Sequence, residues 1–384
     1  MAELPDWYLP YFPELRAGPP WVTEDMIAAE PGLARIVDDL AEPAAEVAEM
    51  LRDTWQEGKP VTVAGSGTSE YAAQAVAEIV DDAVRTVGAP GGVVQARESF
   101  DSSLDPRPGF FLAVSHGGRS RVAVGALEAA RAAGARTALI TAAGSDTPVA
   151  AAADLRIDLP FADRSFCHTV GYLSPILVAT AIGAALTGVR VDRAALEAHL
   201  EEAWDTLPDA RGIAASLHGV ALHLTVASGA DAPSARELSL KIEEAVRVPA
   251  AMRGLETLQH GHLVPADSTT SAVVVVADRR QRKRRAERAA TALRACRRLG
   301  LRTALIATRD VIPAIDLELV TAGTIVIPDF EPAPAPVSAL TATALALQQL
   351  TICLVHEAGV NPDLIRREEQ PYREAAVLTE AKIR

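Results

Sequence analysis

The chain has 384 residues, of which 49% are hydrophobic and 23% charged, and its formal net charge is −13. At roughly 100–200 residues per domain, this length predicts about two globular domains. The acidic balance disfavours nucleic acid and anionic membranes as partners. The three cysteines Cys167, Cys296 and Cys353 lack a CxxC spacing, which excludes a disulfide framework and a structural zinc site.

The N-terminus is acidic and proline-punctuated, without the basic and apolar regions of a signal peptide, so we expect a cytoplasmic protein. Residues 1–22 contain five aromatic side chains that should pack on the domain or on a partner subunit, namely Trp7, Tyr8, Tyr11, Phe12 and Trp21. The apolar stretch 176–187 is shorter than the roughly 20 residues that a bilayer requires, and it predicts a buried core helix.

Residues 24–58 have helical periodicity, and strands then alternate with helices. The predicted strands are 61–64, 110–114, 136–141 and 155–159, with a β-rich connection at 84–95. The predicted helices are about 69–82, 119–133, 147–153, 171–187 and 192–205. Such alternation predicts a parallel sheet covered by helices on both faces.

The second half repeats the first. Val61–Ala64, followed by Gly-Ser-Gly-Thr-Ser, resembles Leu224–Ala227, followed by Ser-Gly-Ala, and Arg131–Thr141 is echoed by Arg297–Ala307. The repeat predicts a duplicated α/β domain, each copy a doubly wound sheet. The second copy has predicted strands 221–227, 272–277, 302–307 and 323–327 and predicted helices 234–247, 283–299 and 338–357.

These patterns predict four segments. They are an N-terminal arm and helix (1–45), a first domain (46–207), a second domain (213–360) and a charged tail (361–384), with Leu207–Gly212 as the linker. The basic run Arg279–Arg285 is interpreted as a solvated helix start rather than a nucleic-acid patch, because the chain is so acidic.

Two glycine- and hydroxyl-rich loops follow consecutive strands and open helices. Free N–H groups at a helix N-terminus bind anions, and hydroxyl groups can donate to phosphate oxygens. The predicted phosphate ligands are Ser66, Thr68 and Ser69 in the first loop and Ser115 and Ser120 in the second, and Gly67, His116 and Gly118 are further predicted substrate-binding residues of these loops. The alternative is a pair of helix-capping turns. A P-loop lysine and a GxGxxG spacing are both missing, so no cofactor is predicted. The matching loops of the second copy are acidic, and we expect that copy to lack a phosphate site.

Glu237, Lys241 and Glu244 are spaced i, i+4, i+7 and should share one helix face. They form either a proton-transfer group or an ion-paired surface stripe. Ser234 and Glu237 also fit a capping box, which is our preferred interpretation of Glu237. His260 precedes Gly261 in a loop, where a histidine is either solvated or an acid of the site. His260 and His262 lack a third ligand, so no metal is predicted.

The loops Ser66–Ser69 and Ser115–Ser120, and the E-x-x-x-K-x-x-E helix followed by His260-Gly261, resemble the tandem sugar isomerase (SIS) family. The resemblance covers about 45–365 and is to the isomerase half of glucosamine-6-phosphate synthase and related deaminases and deglycases. Gly117 stands where the family's second loop has a serine. Asp163–Leu173, with His168 and Thr169, matches the family's segment beside the sugar. His116 and His168 either contact sugar hydroxyls, serve as an alternative acid, or simply pack or cap.

The resemblance implies a sugar phosphate substrate, with Glu244 moving a proton between C1 and C2. It implies that His260 helps to open the sugar ring and comes from the neighbouring subunit of a homodimer with a shared active site. The family's C-terminal lysine has no clean counterpart, since Lys382 lies too far along the chain. We expect a phosphosugar isomerase, or an amino-sugar-6-phosphate deaminase or deglycase, without a glutaminase domain. The alternative is a non-catalytic sugar-phosphate-binding regulator.

Overall fold

The computed structural model describes residues 12, 14–88, 93–142, 144 and 146–380. Trp7, Tyr8, Tyr11 and Lys382, which the sequence analysis singled out, lie outside these residues. Two parallel five-stranded sheets form the framework. The first contains β1 (Val61–Gly65), β2 (Val94–Glu98), β3 (Gly109–Val114), β4 (Ala135–Thr141) and β5 (Leu155–Asp158). The second contains β6 (Leu222–Ala227), β7 (Ala250–Gly254), β8 (Thr270–Val276), β9 (Arg302–Thr308) and β10 (Gly323–Ile327).

The two sheets have the same topology. The strand order is β2-β1-β3-β4-β5 in the first sheet and β7-β6-β8-β9-β10 in the second, and every pairing is parallel. In each sheet the chain moves to one side of its first strand and then to the other, so the switch point where doubly wound sheets bind ligands lies between β1 and β3 in the first sheet and between β6 and β8 in the second. The predicted fold class, two doubly wound α/β units in tandem, is therefore confirmed.

Helices cover both sheets. The helices in chain order are α1 (Val22–Ala28), α2 (Ile36–Asp39), α3 (Ala41–Gln56), α4 (Thr68–Val87), α5 (Ser99–Leu104), α6 (Arg121–Ala132), α7 (Pro148–Ala152), α8 (Val170–Thr187), α9 (Arg193–Trp204), α10 (Leu207–Leu217), α11 (Ala232–Lys241), α12 (Arg282–Arg298), α13 (Ala335–Ala358) and α14 (Gln370–Glu380). A π-helical turn, Ile242–Val246, extends α11.

Two helices, α8 and α13, are long and apolar enough to cross a membrane by length and composition alone. In the fold, 83% of the apolar window of α8 and all of that of α13 is buried inside the protein. Helix α8 packs on α3 and α4, and α13 packs on α9, α10 and α11. Both are therefore core helices, as predicted for residues 176–187.

Two local predictions were wrong. Leu207–Gly212, interpreted as a linker, is the first half of α10, which packs on α13 and β10. Pro208 lies in its first turn, where a missing N–H group costs nothing. Strand β7 was missed because Ala250–Gly254 has no β-branched residue and no alternation. The predicted domain boundaries stay a prediction.

Helix α12 begins within the basic run Arg279–Arg285, as predicted, and Lys283 and Arg284 are exposed, but the other four arginines of the run are ion-paired. Arg279 and Arg282 pair with Asp329, while Arg280 and Arg285 pair with Asp278, whose side chain is fully buried. Arg280 also reaches Glu78 and Asp82 on α4, at 3.0 and 3.3 Å. The run therefore joins the two sheet units through buried and half-buried ion pairs. These ion pairs were not predicted because the sequence does not reveal which carboxylates face the run.

We predict that Arg280→Ala destabilises the protein by about 2–4 kcal/mol, because it leaves Asp278, Glu78 and Asp82 with fewer cationic partners. Urea unfolding measures the change. Arg85→Ala, on the same helix as Glu78 but with an exposed side chain paired to Asp81, is the matched control and should change stability by less than about 1 kcal/mol. Equal effects of the two substitutions would contradict a linking role for Arg280.

Candidate active site

The first loop leaves β1 through a turn that only glycine permits. A Cβ atom on Gly65 would lie 2.1 Å from the carbonyl oxygen of Ser69, and Gly67 has φ +59° immediately before α4. In the described part of the chain, no protein acceptor bonds the N–H groups of Ser66 to Ser69. These N–H groups lie at the start of a 20-residue helix, where the helix dipole favours an anion.

The hydroxyl groups of this loop have partners of their own. Ser66 donates to Oε1 of Glu98 at 2.7 Å, and the other oxygen of Glu98 caps α5 through the N–H groups of Phe100 and Asp101. Thr68 is buried and donates to Oε1 of Glu237 at 3.2 Å. The loop therefore offers mainly its N–H groups and the half-buried Ser69 to an anion. The predicted phosphate contacts of Ser66 and Thr68 stay predictions.

The second loop follows β3 and opens α6. Ser115 and His116 are buried, while Gly117 and Ser120 are exposed. Ser120 caps α6 by accepting the N–H of Ala123 at 3.3 Å, which leaves its own O–H group able to donate. Gly118 takes φ +60°, which turns the chain between these residues. Both predicted loops thus lie side by side at the carboxyl edge of the first sheet, because β1 and β3 are neighbours.

A buried cluster fixes the second loop to the segment before α8. Nε2 of His116 accepts the N–H of Asp163 at 2.8 Å, so the proton of the neutral imidazole lies on Nδ1. Asp163 in turn accepts the N–H groups of Thr169, Val170 and Gly171. Burial opposes ionisation of Asp163, but the positive charge that His116 and His168 carry when protonated, together with the N–H groups of Thr169 and Gly171, lowers its pKa. The carboxylate is therefore the anion at the N-terminus of α8.

The two histidines of this region, His116 and His168, have different surroundings. His116 faces inward and holds Asp163, whereas His168 keeps part of its surface accessible, with its ring centroid 5.0 Å from that of His116. Burial lowers the pKa of His168 to about 4, and the nearby Lys241 acts in the same direction. His168 is therefore a neutral imidazole, able to hydrogen-bond a sugar hydroxyl. His116 acts as a support for the loop.

Helix α11 and its π-helical turn carry the predicted charged face. Nζ of Lys241, which is 1% exposed, lies 2.6 Å from Oε2 of Glu244 and 3.5 Å from Oε1 of Glu237. Burial alone would lower the pKa of Lys241, but Glu244 and Glu237 outweigh burial and raise it. Burial raises the pKa of Glu237 to about 7, although Lys241 opposes this shift. Glu237 and Lys241 are buried and only Glu244 is partly exposed, so the group is not a surface stripe.

The capping box predicted for Glu237 was wrong. Helix α11 begins at Ala232, so Ser234 lies inside its first turn and bonds Tyr172 at 3.0 Å and Thr343 at 2.7 Å. Glu237 instead reaches Thr68 of the first loop. The structure thus brings the first loop of one sheet unit into contact with the charged helix face of the other, which the sequence spacing could not reveal.

His260 lies apart from this group within the chain. Its side chain is 69% exposed, and Nε2 lies 2.7 Å from Glu256, which also pairs with Arg288. His262 accepts from Nε of Arg253 at 3.1 Å. Among the described residues, no group of three or more His, Cys, Asp or Glu side chains could hold a metal ion. The role predicted for His260 stays a prediction.

At the corresponding edge of the second sheet, a side chain of the protein itself bonds the N–H groups of a loop. The carboxylate of Asp231 accepts the N–H groups of Ala277 and Asp278 at 3.1 and 2.9 Å. Burial and the neighbouring Asp278 raise the pKa of Asp231 to about 7. A side chain of the protein thus occupies the N–H groups of this loop, and the expectation that the second copy lacks a phosphate site stays a prediction.

Two cavities, of about 290 and 420 Å³, lie along α4. One is bounded by α8 and the loop before α13, and the other by β2 and the start of α11. Neither is lined by Thr68, Lys241, Glu244 or His168. Loop geometry and the placement of charged groups therefore locate the candidate site better than cavity size does.

Several solved structures with the same fold are phosphosugar enzymes by name. The chain is similar to the C-terminal domain of glucosamine-fructose-6-phosphate aminotransferase from Francisella tularensis (14% identity, 91% of this chain and 99% of that one, TM-score 0.74). It is also similar to tagatose-6-phosphate ketose/aldose isomerase from Escherichia coli (18%, 91% and 96%, 0.71) and glucosamine-6-phosphate deaminase from Thermotoga maritima (15%, 84% and 95%, 0.60).

Comparison with family models and with curated proteins gave no match. At these identities the likeness is one of fold, and it extends along nearly the full length of the solved structures. The predicted resemblance to tandem SIS proteins is confirmed at that level.

We predict that Gly171→Ala destabilises the protein by about 1–3 kcal/mol, since its Cβ atom would lie 2.7 Å from Oδ2 of Asp163 and 3.0 Å from Nδ1 of His116. Gly183→Ala, on the same helix, is the control. Its Cβ atom would meet Ile79 at an ordinary 3.5 Å, so this variant should be as stable as wild type or more so. Thermal or urea unfolding decides, and a harmless Gly171→Ala would show that the cluster is loose.

Proposed function

We propose that the chain is an enzyme acting on sugar phosphates, either an aldose–ketose isomerase or an amino-sugar-6-phosphate deaminase or deglycase. The observation that carries this proposal is the 2.6 Å contact between the buried Lys241 and the quarter-exposed Glu244, in a group joined to the first loop by Thr68 and Glu237. A sensor of sugar phosphates needs no such carboxylate beside a buried cation.

The chemistry requires a base near C1 and C2. Glu244 contacts Nζ of Lys241 at 2.6 Å and is about a quarter exposed, so it is accessible to a substrate carbon. Glu244 would take a proton from one carbon and return it to the other through an enediol or, with an amino sugar, an enolamine. Glu237 and Thr68 orient Lys241, and His168 is placed to bind sugar hydroxyls.

The phosphate group is assigned to the two loops at the carboxyl edge of the first sheet. The unbonded N–H groups of Ser66 to Ser69 supply donors, and Ser69, Ser115, Gly118 and Ser120 complete the site. The names of the solved structures with this fold include tagatose 6-phosphate and glucosamine 6-phosphate, so a ketose or amino-sugar 6-phosphate is our proposed substrate class.

We also propose that the enzyme is a cytoplasmic homodimer whose active site is shared. His260 is mostly exposed and bonds Glu256, so it makes no contact with Glu244 of its own chain in the described residues. The resemblance to SIS enzymes assigns the ring-opening histidine to the neighbouring subunit. A second copy would bring His260 to the partner's proton-transfer group.

Glu244→Gln should reduce proton transfer about 10²–10⁴-fold, because the amide cannot act as a base. Proton NMR in D₂O, with fructose, tagatose, glucosamine and glycated-amine 6-phosphates, measures deuterium entering C1 or C2. Release of ammonia or amine separates deaminase and deglycase from isomerase. Glu243→Gln is the matched control, since Glu243 is exposed and only accepts the N–H of Ala250.

Binding without deuterium exchange is the outcome that would contradict the enzyme proposal. If these compounds raise the Tm but no deuterium enters any of them, the enzyme proposal fails. The chain is then the alternative, a sugar-phosphate-binding regulator. Gly117 favours that alternative, because it removes a hydroxyl from the second loop.

Mixing two inactive variants tests the shared site. With Glu244→Gln and His260→Asn chains refolded together, half of the dimers are mixed, and each mixed dimer has one intact site and one doubly altered site. Activity should return to about a quarter of wild type. Sites confined to one chain would give no recovery, and analytical ultracentrifugation would confirm that dimers form.

A further inference from the structure

Glu30, between α1 and the following 3₁₀ turn, is a buried carboxyl group that the proposed reaction does not use. It is fully buried, and neither of its oxygens has a hydrogen-bond donor among the described residues. Burial raises the pKa of Glu30 well above its ordinary value; the adjacent amide of Gln348 opposes this shift, and the nearby carboxyls Asp163 and Glu237 add to it. A buried carboxylate without a donor or a cation is costly to keep ionised.

The polar side chain that faces Glu30, Gln348, also has an unpaired atom, an oxygen that lacks a hydrogen-bond donor. Gln348 on α13 is 1% exposed, and its Nε2 donates to the carbonyl oxygen of Thr169 at 3.2 Å. Its Oε1 has no donor. Turning the amide over would place Oε1 against the Thr169 carbonyl, so that two acceptors would face each other. Gln348 must therefore find a donor for Oε1 elsewhere.

We propose that Glu30 is a neutral carboxylic acid whose O–H group donates to Oε1 of Gln348, and that this pair positions the turn at Thr169. A single proton on the Glu30 carboxyl group supplies the hydrogen-bond donor that Oε1 of Gln348 lacks. The same proton neutralises the charge of Glu30, for which the buried site offers no cation. No other rearrangement of the described groups is needed.

The pair acts on the candidate site through a chain of hydrogen bonds. Gln348 holds the carbonyl group of Thr169, and the N–H of Thr169 binds Asp163, which holds His116 of the second loop. The turn also carries His168. Glu30 is therefore a positioning residue for the side of the site where the sugar should lie. This role rests on the proposed function, whereas the neutral state of Glu30 does not.

The neutral state is tested by stability against pH. An acid whose pKa is raised by folding loses stability as pH rises from its ordinary pKa, near 4.5, towards the raised one. Glu30→Gln keeps a donor and cannot ionise. Between pH 5 and 8, the ratio of the wild-type to the Glu30→Gln unfolding constant should rise by up to about tenfold per pH unit.

Urea unfolding at each pH measures this ratio, with Glu128→Gln, at an exposed site on α6, as the control expected to stay parallel to wild type. Parallel curves for Glu30→Gln would overturn the proposal. The infrared difference between wild type and Glu30→Gln at pH 7 gives a second test. A protonated-carboxyl band lost in the variant supports the proposal, and a carboxylate band lost in its place overturns it.

The positioning role needs a separate readout. Glu30→Leu removes the donor and leaves Oε1 of Gln348 unpaired, so KM for deuterium exchange into fructose 6-phosphate or glucosamine 6-phosphate should rise about tenfold, with kcat changing less. Glu30→Gln should restore KM. An unchanged KM in Glu30→Leu overturns the positioning role. Absence of exchange in wild type would refute the proposed function alone, because the pH and infrared tests do not use a substrate.

Discussion

The candidate site depends on one constraint, that the ammonium group of Lys241 is buried and must be paired. Its two carboxylate partners lie on the same helix, and one of them, Glu237, is bound by Thr68 from the other sheet unit. An unpaired charge at this depth would be strongly destabilising, so the helix, the first loop and the packing of the two units are fixed together. The hydrogen bond between Thr68 and Glu237 thus links the two sheet units at the candidate site, in addition to the hydrophobic core that they share.

Much of the fold could be predicted from the sequence, because alternating strands and helices and an internal repeat determine a doubly wound topology. The predictions failed where the pattern is weak or the context decides. Strand β7 lacks β-branched residues. Helix α10 begins at Leu207 with Pro208 in its first turn, and a proline is equally compatible with a linker. The basic run Arg279–Arg285 could be classified only once its carboxylate partners were known.

The site was predicted in part. The two loops and the Glu237, Lys241 and Glu244 face were identified from spacing, since short motifs are local. The partners of these groups come from distant segments, and no local signal announces them. Glu30 precedes a proline in an unremarkable helical stretch, and only the fold reveals that it is enclosed with Gln348, more than 300 residues along the chain. Likewise, nothing in the sequence marks His116 as a support for Asp163.

The unequal edges of the two sheets have a thermodynamic consequence. Asp231 of the second unit accepts the N–H groups of Ala277 and Asp278 from within the chain. The first loop of the first unit keeps the N–H groups of Ser66 to Ser69 without a protein acceptor among the described residues. Under the proposed function, a sugar phosphate that bound these N–H groups would raise the free energy of unfolding, so the stability of the protein would vary with the concentration of that metabolite.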